Sequence, residues 1–472
     1  MDPDLAFSLN QINRDIKKEY TSLRNRIQSI LFDNAFIAQR VIPRFPNYPL
    51  IPNERCGLWY CDPKDFDQTS YFKSTDGHTN QWDFSTRRLN LHLLPILQEK
   101  NGIIIVDSTR RGKLMPDALS KTIPIWCAVL NSLMQPDKSE VLFTPPKCVS
   151  QSEHDSIKTR IPSLVDRLEK LDILDAQDLR NKFQGKILRP FWVYPGSDML
   201  RSSTDPFTGE IIEIQWEPGP NEQIIPIILC TASYRAQDGV DKRHGFTYVQ
   251  GAADDHELWS CGLDPKLLWN NWHYFHDLDR NDKELESHVK TLIELAETTD
   301  HRNHLADIVE MDPITKELSL GKLKDHTAIT PNIARELDSQ FSLVIILSQS
   351  VTLSKPFDFI KTYNLQSGSK RSSKDLRAAL IEIDHIVSAH LNKDVVKRKP
   401  IMVCCNSGTD ISVGVILMIL CKYYSQDWLL GKPDSVNKFV IRRHLVQIIN
   451  KIKRRNVNPS RATLNSINSF LM

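Results

Sequence analysis

The chain lacks most of the features that decide a protein's class at a glance. No apolar run approaches the ~18 residues that a membrane span needs, so a chain with no membrane partner is expected. The nine cysteines, at 56, 61, 127, 148, 230, 261, 404, 405 and 421, include no CxxC pair. An odd, scattered set argues against a disulfide framework or zinc ribbon and for a reducing compartment, with the cytoplasm as the expected location. The opening MDPDLAF has two acids and no basic stretch, so it reads as neither a secretory signal nor a transit peptide. No HExxH occurs either. HYFH (His273, His276) and HRNH (His301, His304) have i, i+3 spacing but no cysteine nearby, and read as core or surface histidines rather than zinc ligands.

Net charge is only +2, which excludes a polycation as a whole but not a local one. From Lys432 to Arg461 nine Lys/Arg face one acid, Asp434. Such a cluster, including Arg442, Arg443, Lys453, Arg454 and Arg455, suits a polyanion and a salt-sensitive contact. The bland alternative is a solvated helix face with a tail.

At 472 residues the chain is too long for one core, so two or three domains are expected, of mixed α/β type. Residues 3 to 40 predict an amphipathic helix with Leu9, Ile12, Ile16, Tyr20, Leu23, Ile27 and Ile30 on one face. Its polar side, with Arg14, Lys17, Lys18, Arg24 and Arg26, offers a surface for a nucleic-acid backbone.

The stretch Asn101 to Met115, NGIIIVDSTRRGKLM, is the centre around which the other segments group. Four branched apolar residues (Ile103 to Val106) end at Asp107, and the chain turns through Ser108, Thr109, Arg110, Arg111, Gly112 and Lys113 into a helix. A buried strand that hands over to hydroxyls, cations and a glycine predicts a phosphate cradle, since such loops aim backbone N–H groups at anions. An ordinary solvated basic turn is the competing possibility. Pro116 suits a first helical position, and Pro124 predicts a kink before Trp126.

Two further segments point the same way. Tyr71 to Arg88 (YFKSTDGHTNQWDFSTRR) is too polar for a core and too aromatic for a linker. It is a candidate site loop carrying Lys73, Asp76 and His78, unless its aromatics merely pin it. A continuous helical pattern covers Glu153 to Lys182, and β signals cover residues 188 to 230. The last strand, Ile224 to Cys230, again runs into small hydroxylated residues and a base, including Ser233 and Arg235. Two strands delivering Arg-bearing polar loops predict one anion pocket at strand ends. Next, GFTYVQG (Gly245 to Gly251) predicts another strand, with Asp254-Asp255-His256-Glu257 after it. This cluster suits a cation bridged to phosphates, with Asp254 and Asp255 as the metal pair, or a helix start.

The pattern restarts near Asp338, which predicts domains at 1–337 and 338–472. A strand over Ile401 to Cys404 leads through Cys405-Asn406-Ser407-Gly408-Thr409-Asp410-Ile411-Ser412 into an apolar helix. This resembles the end of a dual-specificity or tyrosine phosphatase domain, whose loop reads H-C-x-x-G-x-x-R-S/T. Cys405, Gly408 and Ser412 match the nucleophile, turn glycine and hydroxyl of that family, and Ser407 lies within the loop. Cys404 replaces its histidine, Ile411 its phosphate-gripping arginine, and no Asp occurs from Asn364 to Lys374, where the general acid belongs. Without the arginine the clamp on a dianion and a neighbour that lowers the thiol pKa are both lost. A degenerate phosphate loop, and no working phosphatase, is expected.

As a whole the chain resembles the fungal initiator-tRNA 2'-O-ribosyl-phosphate transferase family, on Tyr71 to Leu93, Ile105 to Leu130, Gly245 to Gly262 and the degenerate loop. The resemblance implies an N-terminal α/β (α+β) transferase domain and a C-terminal phosphatase-like α/β domain. It implies transfer of 5-phosphoribose from phosphoribosyl pyrophosphate to the 2'-hydroxyl of A64 in the T stem of initiator tRNA, which excludes that tRNA from elongation. IIIVDSTRRGK echoes the strand-acid-hydroxyl-glycine plan of other phosphoribosyltransferases, with one acid where those have two. On this basis Arg110, Arg111 and Lys113 neutralise phosphate and pyrophosphate, helped by Lys73, Ser108, Thr109, Gly112, Ser233 and Arg235. Mg²⁺ is steered by Asp254 and Asp255. The base is Asp76, His78 or Asp107. No obligate protein partner is expected. The competing functions are a non-catalytic tRNA-binding protein with a pseudophosphatase module and a phosphatase acting on RNA or inositol phosphates; the missing arginine weighs against the latter.

Overall fold

Two sheets, one parallel and one parallel but for an edge strand, each wrapped by helices, carry the chain. The computed structural model describes residues 22–472 except 55, 75–81, 87, 111, 213–214, 299–304, 306–308, 367–369, 393–398, 432, 434, 453–454 and 456. The candidates Asp76, His78, Arg111, Lys453 and Arg454, the first half of the amphipathic stripe, and His301 and His304 therefore lie outside the described residues. No described helix is long and apolar enough to cross a membrane.

Contacts divide the chain into residues 1–169 with 174–295, and residues 170–173 with 296–472. The boundary thus falls well before the 337/338 expected from sequence. The reason is two strands, Val309–Pro313 and Leu318–Leu323, too short and too mixed with polar residues to announce themselves, yet hydrogen-bonded into the second sheet.

In the first unit β1 (Leu50–Pro52), β2 (Ile103–Asp107), β3 (Ile187–Val193) and β4 (Ile224–Thr231) form a parallel sheet in the order β1-β2-β4-β3. A parallel sheet covered on both faces needs continuous apolar runs, which is what β2 and β4 have. Ile103 to Val106 are all buried, and each side chain so placed contributes about 1.5–3 kcal/mol. Helix α1 (Leu23–Phe36) starts at Ser22, whose hydroxyl accepts from Asn25 N–H, and packs Ile27 and Ile30 into the core. Beside it runs the hairpin β5 (Val240–Arg243) and β6 (Phe246–Val249).

Downstream of β2, a π-helical turn over Ala118–Thr122 passes into α2 (Ile123–Met134), with Pro124 in its first turn. Pro124 therefore sits where the hydrogen-bond register changes, a place that tolerates a missing N–H. The pattern over 153–182 resolves into three short helices, Gln151–Lys158, Ile161–Glu169 and Ala176–Lys182, each too short to continue across the turns between them.

In the second unit β7 (Val309–Pro313), β8 (Leu318–Leu323), β9 (Leu343–Leu347), β10 (Ile360–Tyr363) and β11 (Ile401–Cys405) run in the order β10-β9-β11-β8-β7. Only β7 is antiparallel. Helices α3 (Lys370–Leu391), α4 (Ile411–Tyr423), α5 (Lys438–Lys451) and α6 (Arg461–Leu471) join its larger core, and α4 is apolar all round because it is buried all round.

Candidate active site

The ends of β2 and β4 lie side by side, with Asp107 in register with Thr231, so their outgoing loops meet. Ser233 Oγ accepts from Thr109 N–H at 3.2 Å and donates to Thr109 O at 3.1 Å. One turn further, Arg235 Nε donates to Gly112 O at 2.7 Å. The two loops that the sequence analysis expects to share a pocket are thus joined through Thr109, Gly112, Ser233 and Arg235. Gly112 has φ +70°, and a Cβ there would stand 2.7 Å from Gln237 O, so only glycine fits this turn.

Sequence reasoning missed the residue that ties the turn together. Gln250 is fully buried at the end of β6. Its Oε1 accepts from Gly112 N–H and from Ala236 N–H, both at 2.9 Å, and its Nε2 donates to Lys113 O at 2.8 Å. A carboxamide is the side chain that offers an acceptor and a donor in one plane. The only hint in the sequence is a polar residue closing an apolar strand before a glycine.

Asp107 is buried, and its carboxylate is engaged from two sides: Ser108 N–H at 2.8 Å on Oδ1 and Asn53 Nδ2 at 2.8 Å on Oδ2. It is placed as a clamp for the loop and not, in this arrangement, as a base turned to an acceptor. Asn53 also donates to Phe72 O at 3.0 Å and accepts from Phe72 N–H at 2.7 Å, so it fastens the start of the Tyr71–Arg88 segment beside Asp107. Phe72, Trp82 and Phe84 are buried and pin that segment. Lys73 is exposed, and its carbonyl accepts from Thr122 Oγ1 at 2.9 Å.

Ser108 and Thr109 are buried too. The Ser108 hydroxyl donates to Tyr60 Oη at 3.1 Å, and Ala253 N–H donates to the same oxygen at 3.1 Å. Tyr60 thereby joins the cradle to the Ala252–Asp255 turn. Burial above all pushes its phenol well above the usual range, and the neighbouring acidic groups Asp33 and Cys56 push the same way, so it serves as a neutral acceptor.

The acidic turn is no helix cap. Asp255 has left-handed backbone (φ 50°) and makes no side-chain cap to the short 3-10 turn after it. Instead both acids bracket Arg110: Nε stands 3.4 Å from Asp254 Oδ2, and Nη1 donates to Asp255 Oδ2 at 2.7 Å. Cys56 Sγ donates to Asp254 Oδ1 at 2.8 Å. The turn's backbone is held by Arg26, whose Nη1 donates to Ala252 O at 2.7 Å and Asp254 O at 2.9 Å. Arg26 is 3% exposed, which removes it from the surface proposed for nucleic acid. Among the described residues no three His, Cys, Asp or Glu side chains converge as a metal cage. Lys113 and Arg235 are exposed at the rim and Arg110 is partly so.

In the second unit Cys405 Sγ accepts from Gly408 N–H at 3.2 Å and lies 3.0 Å from Ser412 Oγ and 3.5 Å from Ser407 Oγ. On α5, Arg442 is exposed and Arg443 half-buried. The Arg455 side chain is 8% exposed and paired with Asp312. It is therefore turned inward and is not part of an outward basic face.

Comparison with known proteins fits this division. The family model for the Rit1 N-terminal domain matches residues 16–294, and that for the Rit1 DUSP-like domain matches residues 360–471. A Saccharomyces cerevisiae protein named tRNA A64-2'-O-ribosylphosphate transferase is 53% identical over 498 aligned residues, covering 100% of this chain and 96% of the relative. An uncharacterised Schizosaccharomyces pombe protein is 34% identical over 473 aligned residues, covering 95% of this chain and 94% of its own. With one domain model spanning more than half of the sequence and both relatives aligned almost end to end, the chain belongs to the Rit1 family.

Proposed function

We propose that this chain transfers 5-phosphoribose from phosphoribosyl pyrophosphate to the 2'-hydroxyl of A64 in initiator tRNA, releasing pyrophosphate. The observation that carries the proposal is the joined strand-end cradle: Thr109 locked to Ser233, and Gly112 held by Arg235 and Gln250. Full-length similarity to a protein named for that transfer supports it.

The acceptor oxygen bonds to C1 of the donor ribose, the C1–oxygen bond to pyrophosphate breaks, and the hydroxyl proton passes to a base. Positive charge at C1 and negative charge on the leaving group peak together, so preorganised cations do the most useful work. Arg110, Lys113 and Arg235 supply them from the described part of the cradle, and Arg111 belongs to the same turn by sequence. Since the Asp107 carboxylate is engaged, the proton falls to Asp76 or His78, which come just after the segment that Asn53 fastens to Asp107.

The chain builds no closed metal cage among the described residues, but Asp254 and Asp255 fit a Mg²⁺ that arrives on the donor, because Mg²⁺ keeps most of its waters and takes one or two carboxylates beside substrate phosphates. Bound there, it would neutralise charge on the departing pyrophosphate. Arg110, now shared between those two acids, would then be released to the donor's phosphates. A cytoplasmic location accords with nine unpaired cysteines.

The test is incubation with tRNA, Mg²⁺ and phosphoribosyl pyrophosphate labelled in the ribose. Label on initiator tRNA, lost on Arg111→Ala and kept on Cys405→Ser, is the expected result. Label that depends on Cys405 and not on Arg111 would put the chemistry in the wrong unit.

A further inference from the structure

One strand end of the first sheet has no part in the cradle. β3 pairs only with β4 and forms an edge of the sheet, with Val193 in register with Cys230. Tyr194 therefore leaves the sheet beside Thr231, from which the chain runs on to Ser233 and Arg235. Against Tyr194 lies the turn at residues 145–149, in which Pro145 O accepts from Cys148 N–H at 3.0 Å and from Val149 N–H at 2.9 Å. Two successive prolines, Pro145 and Pro146, stiffen this turn. On it stands Lys147, whose Nζ donates to Tyr194 Oη at 3.0 Å.

Lys147 and Arg235 differ from Arg110, Lys121 and Arg201. Both are exposed, and both are fixed by neutral oxygens, the Tyr194 hydroxyl and the Gly112 carbonyl. Among the described residues no carboxylate pairs with either. Arg110, by contrast, is bracketed by Asp254 and Asp255. Lys121 is held by Glu153 at 3.0 Å and Asp117 at 3.7 Å, and Arg201 pairs with Asp198 at 2.9 Å. Cys148, half-buried next to Lys147, lies within reach of both free cations: burial raises its thiol above the ordinary range, while Lys121, Arg235 and Lys147 pull it down against Asp117. A cation held in place without an acid keeps its charge for an anion from outside, and little freedom is lost on binding.

Position decides which anion. The cradle lies between the ends of β2 and β4, and Asp254 and Asp255 are tied through Cys56 and Tyr60 to the β1 side of it. Lys147 and Tyr194 stand on the other side of β4, at the sheet edge, where a ligand too large for the cradle can reach. A double-helical RNA stem is such a ligand. It lays a ribose at the mouth of the cradle, and its backbone carries a phosphodiester on either side of that ribose. We propose that Lys147, oriented by Tyr194, binds a backbone phosphodiester of the acceptor RNA and so sets the reacting ribose against the donor. The identity of the acceptor rests on the transfer reading above; the contact itself does not need the donor.

Titration of labelled initiator tRNA with the full chain, without donor and over a series of salt concentrations, tests it. Lys147→Gln should weaken binding roughly tenfold while melting as the wild type does. It should also make the slope of log Kobs against log[salt] shallower by about one, the signature of one lost phosphate contact. Lys147→Arg should restore both, and Tyr194→Phe, which removes only the hydroxyl that orients the amine, should fall between. In the transfer assay Lys147→Gln should raise KM for tRNA and not KM for phosphoribosyl pyrophosphate. Wild-type affinity and slope in Lys147→Gln overturn the proposal. So does a raised KM for the donor with tRNA binding intact, which would put a donor phosphate on Lys147. A chain that binds tRNA through Lys147 yet transfers nothing would refute the transfer reading and leave this contact standing.

Discussion

Two loops in this chain leave a buried parallel strand through a glycine with positive φ, and they put their polar groups to opposite uses. After β2 the turn is held from outside: Gln250, Arg235 and Ser233 grip its backbone, while Arg110 is bracketed by Asp254 and Asp255 and Lys113 stands exposed at the rim. After β11 the turn is filled from inside by its own thiol, and its nearest guanidinium belongs to a distant segment. A strand-loop-helix unit is therefore only a frame. Whether it presents cations to a ligand depends on which neighbours satisfy its peptide groups and on which acids hold its side chains.

The largest expected effect breaks the comparison outright. Arg110→Ala should lower transfer by roughly 10²–10³-fold, the usual cost of one charge-stabilising donor. Cys405→Ser, measured in the same assay with the same tRNA, should change it by less than about twofold. Equal losses would mean that the two loops serve one reaction and that the contrast drawn between them is wrong.

Next comes Gln250. Replacing it by alanine strands two N–H groups and a carbonyl of the cradle, and a misplacement of that turn should cost roughly 10²-fold in transfer. Gln250→Glu retains an acceptor for Gly112 and Ala236 but no donor for Lys113 O, so it should recover part of the rate. If the alanine variant keeps wild-type transfer, or loses it only in step with a fall in melting temperature, Gln250 positions nothing.

These two tests also mark what the sequence could show. Ile103–Asp107 and Ile224–Thr231 are legible as buried strands because parallel pairing demands unbroken branched residues, and the meeting of their loops follows from the repeat of that pattern. Gln250, Asn53, Arg26 and Arg455 are not legible as what they are. Each works through a contact far away in the chain, and a polar residue's partner leaves no period in the sequence. Arg26 and Arg455 both read as surface residues, since a cation reads as exposed until its carbonyls or acids are seen. The domain boundary escapes for the same kind of reason: VEMDP and LSLGKL carry too few apolar residues to be read as strands before their neighbours are known.

A smaller effect compares how tightly the two loops are tied. Asn53 makes three buried hydrogen bonds, to Phe72 N–H, Phe72 O and Asp107. Asn53→Ala should cost about 3 kcal/mol in urea denaturation, because it leaves buried groups unpaired. Asn406 at the second loop donates once, to Ser350 Oγ at 2.9 Å, from a half-buried position, and Asn406→Ala should cost under about 1 kcal/mol. Equal losses would show that the first loop owes nothing special to its clamp.

The smallest effect lies beneath the first cradle and appears only with pH. Asp33 on α1 is wholly buried, with Tyr248 Oη donating to its two oxygens at 2.9 and 3.1 Å. Burial pushes its carboxyl well above the ordinary range, against the opposing pull of the Tyr248 hydroxyl, the Tyr234 backbone and the Arg243 charge. The acid of the second unit, Asp312, by contrast has a guanidinium directly on it. In the unfolded chain Asp33 should ionise near pH 4. Its folded value is higher, so folding takes up a proton: the stability linked to this group is complete below about pH 4 and declines as pH rises, until the folded value too is passed. Asp33→Asn cannot ionise. Its stability relative to wild type should therefore improve steadily from about pH 4 upward and then level off, whatever constant offset the lost hydrogen bond adds. Thermal melts of both proteins between about pH 4 and pH 8 read this directly. Parallel curves would mean that Asp33 is ionised in the folded chain, in which case Tyr60 and Tyr248 sit beside a buried charge and the cradle rests on an ion and not on a neutral hydrogen-bonded acid.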